Sequence, residues 1–254
     1  TLGSMVEMVS ADPAHDEEGF TNVLLLGEGN NDHDGIDLTD TLMVASLDPA
    51  SKSVVMLSLP RDLYVLSTEK MGKGRINSLY RDYKLSLIRH GTEKSKTSGE
   101  ALQQLAHELG TAIGLQVHGV IKLNFSGFTE GIDLLGGIDI DVPEDIIDPE
   151  YPGPNYSFET FTLSSGRQHL DGATALKYAR SRHSTSDFSR SSRQQQIIAA
   201  ATEKAKQGKF LTNAGRVSEV MGILAKNMET TFTSRELLGL LKLGKAIDRR
   251  RIFM

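Results

Sequence analysis

The residues Val23-Leu-Leu-Leu26 run without interruption into Gly27-Glu28-Gly29. A strand with one wet face alternates apolar and polar side chains, so a continuous run from Thr21 to Leu26 closed by glycines is the pattern of a strand covered on both faces. Thr41 to Leu47 and Val54 to Leu59 read as two further strands joined by the Asp48-Pro49 turn, a hairpin. After Asn77 the pattern turns helical. Charged residues between His90 and Lys96 mark an exposed loop, and Thr97 with Glu100 has capping-box spacing before the helix Ala101 to Leu109. Val117 to Asn124 reads as a strand, Phe125 to Leu135 as a short helix stopped by Gly136-Gly137, and Ile138 to Val142 as another strand. Strands alternating with helices through residue 142 predict an α/β sandwich with helices covering the sheet. The four prolines at 143, 149, 152 and 154 make residues 143 to 157 a loop. Leu170 to Ala179 is helical, a second helix runs to about Gln207, and the remainder is helical with another capping box at Thr233 and Glu236.

Charge narrows the function. Across 254 residues the net charge is −5 and the isoelectric point is near 5.8, which disfavours a nucleic-acid binder, as does the lack of a helix-turn-helix signal. Against that acidic background Lys177, Arg180, Arg182, Arg190 and Arg193 crowd into a short stretch. Asp187 is placed to cap a helix starting near Phe188 or Ser189. Spacing of i, i+3, i+4 and i+7 then sets Arg190, Arg193, Gln194 and Ile197 along one face. Planar guanidinium forks and a helix N-terminus both suit phosphate, so a phosphate or pyrophosphate is the natural guest; the bland alternative is a solvated basic face. There is no cysteine, hence no disulfide and no thiolate chemistry. No run of about eighteen apolar residues and no signal peptide occur, so the chain as it stands reads as soluble. Residues 1 to 19 read as a disordered acidic leader that opens on a cloning remnant, Thr-Leu-Gly-Ser-Met, and residues 20 to 254 as one domain.

Between the first two strands lies an aspartate-rich loop. Asn30, Asp32, Asp34 and Gly35 match positions of a calcium-binding EF-hand loop, but Thr41 stands where the bidentate glutamate is needed, so that reading fails. Carboxylates at a strand end suit Mg²⁺, which takes a few protein oxygens and completes its shell from water and substrate phosphates. Asp40 is the best placed, because it abuts a buried strand; a solvated acidic turn is the alternative for Asp32 and Asp34. Arg61 and Asp62 follow the third strand at its C-terminal end, where ligands sit in open α/β sheets, and Arg75 and Asn77 can join them. The glycines of residues 27 to 29 do not form a dinucleotide fingerprint, and there is no phosphate-binding GxxxxGK[ST] loop or G-x-S-x-G elbow. The seven histidines lack metal-ligand spacing.

These residues resemble, in order, the motifs of the LytR-CpsA-Psr family of bacterial envelope proteins. The match runs through Val23-Leu-Leu-Leu-Gly27, Thr39-Asp-Thr-Leu-Met43, Ser58-Leu-Pro-Arg-Asp62, Arg75-Ile-Asn77, Leu134-Leu-Gly-Gly-Ile138, Leu170 to Leu176, Tyr178-Ala-Arg-Ser-Arg182 and Asp187 to Gln195. The resemblance implies a three-layer α-β-α sandwich with a central mixed sheet. It also implies an extracytoplasmic domain anchored to the membrane by an N-terminal helix that this chain lacks. The implied activity is a phosphotransfer, with Mg²⁺ or Mn²⁺, that moves phosphoglycan from a polyprenyl-pyrophosphate-linked glycopolymer to peptidoglycan. The family's metal aspartate maps onto Asp40, and its phosphate-binding residues onto Arg61, Arg180, Arg182, Arg190 and Gln194, with Arg193 beside them. Where the family commonly has an aspartate just after the first strand's glycine, this chain has Glu28-Gly29, leaving Glu28 or Asp34 as the second metal carboxylate. The family's arginine two residues before the matched aspartate is here Leu38. Asp62 either orients an arginine or acts as base. A long polyprenyl chain would need an apolar tunnel, for which the aliphatic residues of 117 to 135 and 196 to 201 are candidates, or else ordinary core.

Overall fold

The computed structural model describes residues 11–29, 37–68, 72–153, 157–181, 187–207 and 214–253. The chain divides into two compact units, residues 1–125 with 224–254, and residues 126–223.

The first unit is built on a six-stranded mixed sheet. Its centre is Thr21–Glu28 (β1), antiparallel to Thr39–Asp48 (β2) and parallel to Gly119–Asn124 (β6). Ser53–Ser58 (β3) continues antiparallel from β2, as the hairpin reading requires, and Tyr64–Thr68 (β4) pairs antiparallel with Gly72–Arg75 (β5) as a separate ribbon. Directly paired residues share a face, so Leu24 with Val44 and Leu26 with Leu42 line one side of the sheet, while Val23 with Ala45 and Leu25 with Met43 line the other. All but Leu25 are buried, so the central strands are covered on both sides, as the unbroken apolar run demands. On the Leu24 face lie Leu79–Arg89 (α1) and Lys94–Ile113 (α2), contributing Leu79, Tyr80, Tyr83, Leu102, Leu105 and Leu109 to one core.

Three sequence expectations change here. The second helix begins at Lys94, and Thr97, instead of capping, is buried with its hydroxyl donating to the Glu93 carbonyl at 3.1 Å. Residues 11–19 are docked, not a disordered leader: Ala11 N–H donates to the Arg235 carbonyl at 3.1 Å, and Asp16 accepts from Phe20 N–H and the Asn22 side chain at 2.8 and 3.1 Å. The C-terminal region also holds two short strands, Met228–Thr230 (β11) beside β6 and Ile252–Phe253 (β12) beside β3. The capping box at Thr233 and Glu236 does start a helix, Ser234–Ala246.

The second unit contains two ribbons and their helices. Ile138–Val142 (β7) pairs with Gly166–Leu170 (β10), and Ile146–Pro152 (β8) pairs with Phe158–Leu163 (β9). The expected proline loop is therefore half strand. Its prolines sit at 149 and 152 on a ribbon of only two strands, where a missing N–H costs little. Ile132, Ile138, Val142, Ile146, Tyr151, Phe161, Leu170, Tyr178 and Ile197 form its core. They are drawn from these strands and from Phe125–Leu134 (α3), Gly172–Arg180 (α4) and Asp187–Gln207 (α5). Asp171 caps α4 by accepting from Thr174 N–H at 2.8 Å.

Candidate functional site

In the first unit the expected residues meet where β2 begins and β3 ends. Leu59 N–H donates to the Leu42 carbonyl at 2.8 Å, prolonging the β2–β3 pairing until Pro60 stops it. Arg61 follows, and its Nη1 donates to Asp40 Oδ1 at 2.8 Å. The Asp40 side chain is 46% exposed and that of Arg61 20%. Asp62 lies between two arginines, with Oδ1 accepting from Arg75 Nη1 at 3.3 Å and Oδ2 3.5 Å from Arg61 Nε. Asn77 is buried and ties the segment down through its backbone: its N–H donates to the Arg61 carbonyl at 3.3 Å and its carbonyl accepts from the Thr39 hydroxyl at 3.3 Å. Arg61 Nε is a buried donor that makes no hydrogen bond among the described residues. Its nearest charged neighbour is Asp62 Oδ2, at 3.5 Å, an ion pair without a hydrogen bond.

Glu28, expected as a second metal carboxylate, is committed elsewhere. It is buried, Oε2 accepts from the equally buried Lys122 ammonium, and Oε1 accepts from Asp37 N–H at 2.9 Å. Lys122 also lies 3.2 Å from Glu229 Oε2 and 4.3 Å from the centre of the Tyr80 ring. Tyr80 donates its hydroxyl to Glu229 at 2.6 Å, and Lys84 donates to Asp37 at 2.7 Å. Burial pushes the Glu229 carboxyl up, but the Tyr80 hydrogen bond and the Lys122 charge outweigh it and hold the group below its ordinary value. Asp37, with φ of +63°, is the residue this network fixes in a left-handed conformation, three residues before Asp40. Among the described residues no three histidines, aspartates or glutamates gather around one point. The donor set fits Mg²⁺ in one respect, the half-exposed Asp40 carboxylate, which would hold the ion with the rest of its ligands left to water and substrate.

In the second unit Arg180 ends α4, its Nη1 donating to the Tyr151 hydroxyl at 3.0 Å with the guanidinium 5.4 Å from that ring's centre. Burial pushes the Tyr151 hydroxyl up from its ordinary value, and the Arg180 charge opposes it. Arg193 is bound to main-chain carbonyls. It is buried, its Nε donates to the Tyr178 carbonyl at 2.9 Å and its Nη2 to the Ser181 carbonyl, so it satisfies one carbonyl in the last turn of α4 and that of the residue following the helix. Burial pulls its guanidinium down from the ordinary value, opposed by Tyr178, Asp148 and Glu144. Arg190 and Ile197 are buried on the same helical face as Arg193, and Gln194 is half-buried, in agreement with the spacing. Arg182 and Asp34 lie outside the described residues. Of the aliphatic residues considered for a lipid tunnel, Val120, Ile132 and Ile197 belong to the two cores. Sequence reading missed Lys122, Asp148 and Ser181, all buried polar residues. The available signal was a charge at an inward position of a strand, where it is expensive unless paired.

The model of the LytR_cpsA_psr family matches residues 4–253. The polyisoprenyl-teichoic acid--peptidoglycan teichoic acid transferase TagU of Oceanobacillus iheyensis is 30% identical over 227 residues, covering 89% of this chain and 63% of that protein. The corresponding transferase TagV of Bacillus subtilis is 29% identical over 218 residues, 84% of this chain and 50% of that protein. The crystal structure of B. subtilis TagV superimposes with a TM-score of 0.67 at 25% identity, over 94% of this chain and 84% of that one. The chain thus spans between half and two thirds of the length of these curated relatives.

Proposed function

The chain belongs to the LytR_cpsA_psr family, and on that premise we propose that it transfers a phosphoglycan from a polyprenyl-pyrophosphate carrier to peptidoglycan, outside the cytoplasmic membrane. The names of its relatives support the substrate class. Within the chain, the observation that carries the reading is Arg61, which holds the half-exposed Asp40 carboxylate at 2.8 Å and lies beside the Asp62–Arg75 pair.

The chemistry needs such groups. An acceptor hydroxyl attacks the glycan-side phosphorus, the bond to the bridging oxygen breaks, polyprenyl phosphate leaves, and the hydroxyl proton passes to solvent. Negative charge builds on the phosphoryl oxygens and the leaving phosphate, so most of the catalytic effect comes from positioning and charge neutralisation. In the first unit Arg61 donates to a phosphoryl oxygen and Asp62 and Arg75 hold its orientation; for the second unit, Arg180 and Arg182 are each proposed as phosphate-binding forks. Asp40 is the carboxylate that would hold Mg²⁺, which when bound supplies further neutralisation of phosphate charge. No helix among the described residues is long and apolar enough to cross a membrane, and anchoring is proposed through a segment preceding this domain in the full-length protein. The test is incubation of the protein with a polyprenyl-pyrophosphate-linked saccharide and a peptidoglycan acceptor, with and without Mg²⁺. The expected result is release of polyprenyl phosphate and labelling of the acceptor. Tight binding with no release would leave a polyprenyl-pyrophosphate-binding protein of the envelope instead.

A further inference from the structure

Ser181, which follows Arg180, is held from three sides. Its N–H donates to the Lys177 carbonyl at 2.9 Å, its carbonyl accepts from Arg193 Nη2, and its hydroxyl donates to Asp148 Oδ2 at 2.9 Å. Ser181 is 1% exposed and Asp148 2%. The first two bonds are what any helix end needs. The third is not a helix-end requirement: the buried Asp148 carboxylate, whose charge also favours the buried Arg193 guanidinium, is here committed to a serine hydroxyl.

The placement of Asp148 gives that cost a use. Along β8 the inward residues are Ile146, Asp148 and Tyr151. Tyr151 accepts from the Arg180 guanidinium at 3.0 Å, and Asp148 holds the backbone just beyond Arg180. One strand therefore grips both the end of the arginine's side chain and its main-chain base. Asp148 Oδ1 accepts from Glu150 N–H at 3.3 Å, which orients the carboxylate itself. A long guanidinium side chain loses much of its binding advantage if it must be ordered when the ligand arrives, and a fork needs its direction fixed before it can meet two phosphate oxygens together.

We propose that Asp148 is a positioning residue for pyrophosphate binding: by anchoring Ser181 to the β8–β9 ribbon it sets the direction in which Arg180 meets the diphosphate of a polyprenyl carrier. The inference rests on the phosphate-binding role of Arg180 proposed above. Asp148 acts through Ser181 and not on the diphosphate itself.

The experiment measures the affinity of geranylgeranyl pyrophosphate for the parent and for Arg180→Ala, Ser181→Ala, Asp148→Ala, Asp148→Asn and the Arg180→Ala/Asp148→Ala double variant, each checked for folding by circular dichroism. Arg180→Ala is expected to weaken binding about ten- to a hundredfold. Ser181→Ala and Asp148→Ala should each weaken it by about tenfold, while Asp148→Asn, whose amide oxygen still accepts from the Ser181 hydroxyl, stays within about threefold. In the Arg180→Ala background, Asp148→Ala should add less than about twofold, because the arginine it positions is gone. A purely structural Asp148 would give losses that add. Additive losses, or parental affinity in a folded Asp148→Ala, would overturn the proposal. If Asp148→Ala does not fold, Ser181→Ala decides in its place, parental affinity being the contrary result. Parental affinity in Arg180→Ala would instead contradict the phosphate-binding reading itself, and the role of Asp148 would fall with it.

Discussion

Arg61 donates through Nη1 to Asp40 Oδ1 at 2.8 Å, while its buried Nε makes no hydrogen bond among the described residues. One guanidinium thus holds the half-exposed carboxylate proposed for Mg²⁺ and is itself proposed to donate to a phosphoryl oxygen. A lysine has the charge but not the fork. Arg61→Lys should therefore lower kcat/KM for polyprenyl phosphate release by roughly a hundredfold, the scale of one lost preorganised donor. Steady-state kinetics on the lipid-linked saccharide would show it, and parental kinetics in Arg61→Lys would mean that charge alone suffices.

The arginines of the second unit should separate into two kinds. Arg193 is buried and satisfies two carbonyls at the end of α4, so Arg193→Met should leave both without a donor and cost about 2–5 kcal/mol in urea unfolding. Arg180 is only partly buried, and Arg180→Ala should leave the unfolding midpoint nearly unchanged while binding weakens. Equal destabilisation by both would show that Arg180 is structural.

Lys122 and Glu28 form a buried pair, with side chains 5% and 8% exposed. Lys122→Met strands the carboxylate and should destabilise the protein by about 3–5 kcal/mol, whereas Lys122→Met with Glu28→Leu should recover much of that loss. Denaturant titration of the three proteins measures it. If Glu28→Gln instead abolishes Mg²⁺-dependent turnover in a fully stable protein, Glu28 is a metal ligand after all.

Glu236 in the capping box accepts from Thr233 N–H at 2.8 Å, which holds its carboxyl below the ordinary value of 4.5. A depressed folded-state value stabilises at pH above the unfolded value, and the contribution disappears as pH falls through the folded one. The melting temperature of Glu236→Gln should therefore lie below the parent's at pH 7 and converge with it as the pH drops below about 4. A constant gap across that range would place the effect outside the carboxylate's charge.

Residues with a periodic signature were legible in the sequence. The unbroken run at Val23 to Leu26, the hairpin around Asp48 and the helical face of Arg190, Arg193 and Ile197 all formed as their spacing requires. Asp40, Arg61, Asp62 and Arg75 came together because strand ends place them there. What stayed hidden was set by tertiary partners. Asp148 and two prolines broke the alternation of β8, although the buried Asp148 is satisfied by Ser181 from beyond α4, thirty-three residues away. Thr97 looked like a cap because its spacing to Glu100 fits a local rule, but Glu93 supplied the helix start. Arg193 and Arg180 belong to the same cluster in sequence, where nothing marks that one donates to backbone carbonyls and the other to a tyrosine hydroxyl.

The most direct test is Mg²⁺-dependent release of polyprenyl phosphate by the parent and by Asp40→Asn. The amide keeps the size of the side chain and one acceptor for Arg61 but loses the charge that would hold the metal. The account predicts release by the parent only with Mg²⁺, and release by Asp40→Asn at least about a hundredfold slower with lipid affinity largely retained. An Asp40→Asn protein that releases polyprenyl phosphate as fast as the parent would contradict it.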